Sequence, residues 1–438
     1  MVFIRALILS LMVAFANVEA DVKKGAPKVK PAKTKTSQVK SGKINKGSKF
    51  SAKNSKSSIP TYGKKFNHPY IVPVYHDQRI DFKLIPSRAK TSIRLGGVPT
   101  AISFLRGVYF VKDSSDRTIV LTLDNGIQRI LEKEAETVNA PHFALVVMDV
   151  NTGKILGYVG RSISIPNPIN HNGFRAASLF KIVTAAAAFD FKLLRPDDRI
   201  FFRGSLYELS PANYFPDPQL DSKSMAADVG LAKSANPVFG RIALNFLNPT
   251  FLNFYSDRFG FNWKLNADFE LRESRAFIPE NDFDFARTAA GFGNVFVTPI
   301  HSAALIAALG NKGRLMRPSL IEAVVDSRGQ IIYSFESVAL SQVVSKSTAS
   351  ELLSSLALTQ SEGTAKKAFA GSRVAHLVAG KTGTLSNDDP KGLLLSYVAT
   401  FPLPDPKFAL SVIVVGATDA ASRASFVGRR IIEQIMLR

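Results

Sequence analysis

Two periods of apolar spacing run along this chain, and between them they assign most of its elements. Alternating or unbroken short apolar runs bounded by turn residues mark strands, and apolar positions three and four apart mark helices. Residues 70–75, 80–85 and 102–111 are short apolar runs broken by proline and glycine, and they predict strands or extended packing segments. Residues 117–123 (RTIVLTL) predict a strand, Asp124-Asn125-Gly126 a turn, and residues 128–138 a helix with a polar face. Residues 143–149 (FALVVMD) read as a buried strand that turns at Asn151-Thr152-Gly153 into a partner at 154–159 (KILGYV). Residues 177–191 (ASLFKIVTAAAAFDF) predict a strong helix whose four consecutive alanines permit close packing. Further helices are expected to start near Ser234 and Pro249, a strand region spans 401–415, and a helix closes the chain at 426–436. Strands in hairpins with helices grouped between them predict an α+β fold built on a central antiparallel β-sheet flanked by helices.

Composition removes several classes of function. The 438 residues are 46% apolar, which excludes global disorder and suits one large domain or two to three ordinary ones. There is no cysteine, hence no disulfide, thiolate nucleophile or cysteine metal site. The six histidines are scattered without an HxH or HExxH pair, so a zinc enzyme is not expected.

The net charge of +21 sits unevenly. Residues 21–65 hold 14 lysines and one acidic residue, which leaves only +8 on 66–438. Such a stretch is expected to stay disordered. It carries no aromatic interleaving or nucleic-acid motif, so no nucleic acid is expected. A solvated linker is one reading; a polycation touching anionic envelope polymers or lipid head groups is the other. Ahead of it, Arg5, the apolar run 6–16 and the small residues Val18 and Ala20 read as a cleaved export signal. An uncleaved anchor is the alternative. The expected organisation is a signal peptide at 1–20, a lysine-rich linker at 21–65, a small N-terminal β or extended region at 66–117 and a catalytic domain at 118–438.

Three motifs could carry chemistry. In Ser178-Leu179-Phe180-Lys181, a serine and a lysine three apart share one helix face. A desolvated lysine with a lowered pKa can take the serine's proton and make it a nucleophile. Alone the motif is weak, because Ser37-Gln38-Val39-Lys40 matches it inside the lysine-rich stretch. Ser234-Ala235-Asn236 can point a hydroxyl and an amide into one cleft, although Ser-x-Asn is commonly only a turn or a helix cap. Lys381-Thr382-Gly383-Thr384 suits the start of an edge strand, with a fixed positive charge from Lys381. There the threonine hydroxyls can donate, and Gly383 lets a peptide backbone approach closely for strand addition.

The order S-x-x-K, S-x-N, K-T-G resembles that of the penicillin-binding proteins and serine β-lactamases, and in particular their transpeptidase domain. Thr122-Leu123-Asp124 with Gln128, the hairpin at 147–157, the glycine-containing segment 288–299, the Asn311-Lys312-Gly313 turn and Gly363-Thr364-Ala365 are similar to that family's elements. The likeness spans about 118–438. It implies a sheet flanked by helices with an all-helical subdomain, and an exported serine D,D-transpeptidase at the periplasm or outer face of the cytoplasmic membrane. It also implies that peptidoglycan stem peptides are substrates, that β-lactams acylate the enzyme and that no metal or organic cofactor is needed. By the same resemblance Ser178 is the nucleophile, Lys181 the acylation base and Ser234 the proton shuttle to the leaving D-alanine. Asn236 orients the acyl chain and Lys181, while Lys381, Thr382, Gly383 and Thr384 bind the terminal carboxylate. The backbone N–H groups of Ser178 and Thr384 form the oxyanion hole. A D,D-carboxypeptidase or β-lactamase on the same fold, or a non-catalytic β-lactam sensor or wall-binding scaffold, are the alternatives.

Overall fold

The computed structural model describes Ile80–Asp81, Arg94–Leu95, residues 102–113 and residues 115–437. The expected signal at 1–20, the lysine-rich stretch at 21–65 and the expected strand at 70–75 lie outside the described residues. Of 80–85, Ile80–Asp81 is a strand, paired antiparallel with Arg94–Leu95.

The chain then makes three antiparallel strands, β1 (Ser103–Leu105), β2 (Val108–Lys112) and β3 (Thr118–Leu121). Helix α1 (Asn125–Thr137) starts inside the expected turn, three residues earlier than its apolar spacing suggests. The reason is Asp124, whose carboxylate accepts from the Ile127 N–H at 2.8 Å and so caps the helix. The hairpin of β4 (His142–Asp149) and β5 (Ile155–Ser162) follows as expected. Its turn is held by Asp149, which accepts from the N–H groups of Asn151 and Thr152. Gly153 is required there: it has φ +79°, and a Cβ would stand 2.3 Å from the Arg317 carbonyl.

Helices dominate the middle of the chain: α2 (Lys181–Asp190), α3 (Ala227–Ala232), α4 (Asn236–Phe246), α5 (Pro249–Arg258), α6 (Asp282–Ala289) and α7 (Pro299–Gly310). Ala185 to Ala188 of α2 are wholly buried among their neighbours, as the alanine run allows. Strands β6 (Ile321–Val325) and β7 (Ile331–Ser334) return to the first three and complete a sheet of order β7-β6-β3-β2-β1. The boundary expected between 117 and 118 falls within this sheet.

After α8 (Lys346–Ser361) come β8 (Ala379–Asp388), β9 (Lys391–Phe401), β10 (Phe408–Val415) and α9 (Ala424–Met436). The expected strand region 401–415 is interrupted, because residues 402–407 contain three prolines, which cannot donate to a ladder. The central sheet is antiparallel throughout, in the order β8-β9-β10-β4-β5. Side chains alternate across it. Phe143, Leu145 and Val147 pack with α1 and α9, whereas Ala144, Val146 and Met148 join the larger core under the helices. This is the expected α+β class, and it leaves β8 as an edge facing the helical layer. Among the described residues no helix is long and apolar enough to cross a membrane.

Gln128 ties α1 to this sheet. It is fully buried, its Nε2 donates to the Tyr158 carbonyl at 3.1 Å and its Oε1 accepts from the Tyr158 N–H at 3.0 Å. Gln128→Leu strands both backbone groups, so we expect a loss of about 2–4 kcal/mol in urea unfolding. A loss under about 0.5 kcal/mol would show that water replaces the amide.

Candidate active site

Ser178 lies in a short 3-10 turn, Ala177–Phe180, and Lys181 is the first residue of α2. The pair therefore straddles a junction rather than sharing the first α-turn expected of it. A 3-10 turn places residues three apart almost directly above one another, and Lys181 Nζ stands 3.0 Å from Ser178 Oγ. Ala177, just before the serine, holds φ +49°, a conformation that costs a residue with a Cβ. Gly291 backs this turn: its φ is +92°, and a Cβ there would fall 2.5 Å from the Ala177 carbonyl and 2.9 Å from the Ser178 nitrogen.

The Lys181 ammonium is completely buried. Burial, and next the neighbouring Lys381, hold its pKa well below the ordinary lysine value. Its other contacts are acceptors, Asn236 Oδ1 at 2.8 Å and the Ala290 carbonyl at 2.5 Å. A neutral amine has two N–H bonds and one lone pair. In that neutral form, two neighbours that only accept can take both N–H bonds, which leaves the lone pair for the Ser178 hydroxyl. The Asn236 amide is fixed in the required sense because its Nδ2 donates to the Tyr207 carbonyl at 2.7 Å.

Ser234 sits at the turn between α3 and α4 with φ +57°. The helix expected to start near Ser234 starts at Asn236, which leaves Ser234 in the turn before it. Lys381 Nζ donates to Ser234 Oγ at 2.9 Å and to the Thr382 carbonyl at 2.9 Å.

Lys381 lies on the edge strand β8, as expected. Its side chain is wholly buried, and burial brings its pKa down to about 7. Thr382 shares a hydrogen bond of 2.5 Å with Thr364 of the Gly363-Thr364-Ala365 segment. Gly383 serves the strand's own packing: a Cβ would lie 2.3 Å from Ser396 Oγ on β9 and 3.4 Å from the Ala176 carbonyl. Thr384 is exposed on the free edge.

The three motifs thus converge on one cleft of about 410 Å³ between β8 and the helical layer. Ser178, Ser234, Asn236, Thr382, Gly383 and Thr384 line it, with Lys181 and Lys381 buried directly behind. Sequence reasoning missed Tyr207, Phe292, Ser396 and Arg423 on the same wall, and the carbonyls of Tyr207 and Ala290. Two of these groups are backbone, which no motif marks. A hydroxyl beside an amine whose pKa is lowered, with a second hydroxyl beside a second such amine, can take a proton at one end of a reacting bond and return it at the other. That is the equipment of acyl transfer.

Residues 143–437 match the family model described as the penicillin binding protein transpeptidase domain. The chain is 22% identical over 365 residues to the peptidoglycan D,D-transpeptidase FtsI homolog of Mesostigma viride, covering 73% of this chain and 60% of that protein. It is 23% identical over 347 residues to penicillin-binding protein PbpB of Mycolicibacterium smegmatis, covering 70% and 51%. This chain thus spans between half and two thirds of the length of these relatives. Among solved structures, the D,D-transpeptidase domain of a peptidoglycan glycosyltransferase from Eggerthella lenta superposes with a TM-score of 0.62 at 22% identity, covering 73% of this chain and 82% of that one. The penicillin G acyl-enzyme of penicillin-binding protein A from Mycobacterium tuberculosis gives 0.57 at 21%, covering 73% and 80%.

Proposed function

The chain belongs to the penicillin-binding protein transpeptidase family, and from that premise we propose that it is a serine D,D-transpeptidase acting through Ser178. One observation carries the reading: Lys181 Nζ lies 3.0 Å from Ser178 Oγ while two acceptors occupy its N–H bonds. Ser178 gives its proton to neutral Lys181 and attacks the carbonyl of the penultimate D-alanine of a peptidoglycan stem. The N–H groups of Ser178 and Thr384 receive the developing oxyanion, a contribution of about 10²–10³ in rate per donor. Lys181 returns that proton to the leaving amine by way of Ser234, which is held by Lys381, so that Lys181 is neutral again and Ser234 keeps its hydroxyl. The terminal carboxylate sits with Lys381, Thr382 and Thr384, and its charge restores that of Lys381. Asn236 orients both Lys181 and the acyl chain. An amine of a second stem then attacks the acyl carbonyl; Lys181 accepts that amine's proton and passes it to the departing Ser178 oxygen, which restores the free hydroxyl. The scheme calls on no metal or cofactor.

The same reading makes β-lactams acylating inhibitors and places the enzyme outside the cytoplasmic membrane, where its substrate is. The lysine-rich residues 21–65 suit anionic envelope polymers or lipid head groups there.

The test is mass spectrometry of the full chain after exposure to benzylpenicillin, followed by turnover of a D-Ala-D-Ala stem peptide with and without an amine acceptor. We expect a stable adduct on the Ser178 peptide and an amide product in the second assay. An adduct lost within seconds would make the protein a β-lactamase, and D-alanine release without aminolysis a carboxypeptidase. No adduct on folded protein would leave a sensor or scaffold.

A further inference from the structure

The wall of the cleft has one charged side chain that the reaction leaves unused. Arg423 lies where the chain enters α9, and with Ala424 and Ser425 it lines the same cleft as Ser178 and Thr384. It is exposed, and it makes no ion pair with any described residue. The two arginines that follow it on α9 are committed elsewhere, Arg429 to Glu433 and Arg430 to Glu134. Nothing in the cleft lining is acidic. The two lysines behind it both have lowered pKa values, and the proposed chemistry uses both. Arg423 is therefore the fixed positive charge of this cleft.

Its place along the strand says which part of a donor it meets. A donor peptide held on β8 with its terminal carboxylate at Lys381–Thr382 runs past Thr384 and Leu385 toward its own N-terminus. Thr384 and Leu385 pair with Leu395 and Leu394 of β9, and Leu395 and Ser396 line the same cleft as Arg423. Strand addition sends alternate side chains to opposite sides. One of the donor side chains N-terminal to the attacked carbonyl therefore turns toward the β9 and α9 wall. A guanidinium with five fixed donors recognises a carboxylate in two-point fashion.

Resting on the acyl-transfer reading above, we propose that Arg423 is a specificity residue that selects acyl donors bearing a free carboxylate on the side chain beside the scissile unit, over donors in which that group is absent or amidated. In this role it binds substrate and takes no part in proton transfer.

The test uses two β-lactams that differ by one group: benzylpenicillin, and carbenicillin, which adds a carboxylate to the same side chain. The readout is the ratio of their second-order acylation rates, so any loss common to both cancels. We expect Arg423→Gln to lower the carbenicillin-to-benzylpenicillin ratio about tenfold. Arg423→Glu should lower it further by repulsion, and Arg423→Lys should keep most of it. Raising the salt from 0.05 to 0.5 M should compress the ratio in the parent and leave Arg423→Gln unmoved. A ratio that stays within twofold across Arg423→Gln and Arg423→Glu would overturn the assignment while both compounds still label Ser178. If neither compound labels the parent, it is the acyl-transfer reading that fails.

Discussion

Lys181→Met is expected to slow acylation of Ser178 by about 10³–10⁴-fold, near the top of the range for a positioned general base. The nucleophile stays, but the lone pair 3.0 Å from its hydroxyl is gone. Methionine keeps most of the volume of the buried stem, so the fold should survive, with Asn236 Oδ1 and the Ala290 carbonyl left short of a donor. Lys181→Arg should be no better than Lys181→Met, because a guanidinium does not deprotonate in proteins. Ser178→Ala sets the floor, with no covalent adduct at all. Rapid-quench labelling with a fluorescent penicillin measures all four proteins, and unfolding curves confirm that each is folded. In the parent, the rate should climb with pH as Lys181 loses its proton and reach its plateau well below the ordinary lysine range, since burial lowers that pKa. Lys181→Met should lack this limb. A residual rate within tenfold of the parent would remove Lys181 from the role of base and shift attention to Ser234 with Lys381.

Much of this was legible in the sequence, and what was not has particular causes. The hairpin of β4 and β5 and the closing helix α9 were legible locally: β4 is an unbroken apolar run ahead of an Asn-Thr-Gly turn, and α9 repeats apolar residues at helical spacing. The second sheet was not legible. It pairs Ile321 with Leu121, and nothing local records a partnership of such separation. The start of α1 was placed three residues late, because Asp124 caps that helix with its side chain. The motif order pointed to the chemistry, yet Ser178-x-x-Lys181 and Ser37-x-x-Lys40 are equivalent as strings. What separates Ser178 and Lys181 as a candidate site is surroundings: full burial of the amine, the Ala290 carbonyl and an asparagine locked by the Tyr207 carbonyl. Gly383 was read as space for a substrate, and its more immediate constraint is Ser396 Oγ. Arg423 belongs to no motif and enters the cleft only through the fold.

Lys381→Met should make the protein more stable and less active, in opposite directions from one atom group. Lys381 is wholly buried, with a pKa of about 7 against an ordinary 10.5, so the folded state holds the charged form poorly. Because the folded pKa is the lower, the unfolded chain carries the extra proton between about pH 7 and 10.5, and parent stability rises with pH across that window. Below it the cost of the buried charge is present in full. Methionine removes that cost, and we expect a gain of about 1–4 kcal/mol at pH 6, or about 2–6 °C in Tm. The gain should shrink as pH rises from about 7 and vanish only above about 10.5, once the unfolded chain's lysine is neutral too. Activity moves the other way. The proposed substrate carboxylate loses its cationic partner and Ser234 loses its donor, so kcat/KM for a D-Ala-D-Ala donor should fall by about 10²–10³-fold. In the parent, kcat/KM should decline as pH rises through about 7, because the free enzyme then loses the charge that attracts the carboxylate. Lys381→Met should lack that decline. Equal or lower stability at pH 6 would mean that Lys381 is held neutral or solvated in the folded cleft. An undiminished kcat/KM would place the carboxylate on the threonine hydroxyls alone. The expected pairing of gain and loss would identify Lys381 as a group the fold tolerates for the sake of its substrate, since nothing else in the cleft offers that buried amine a counter-charge.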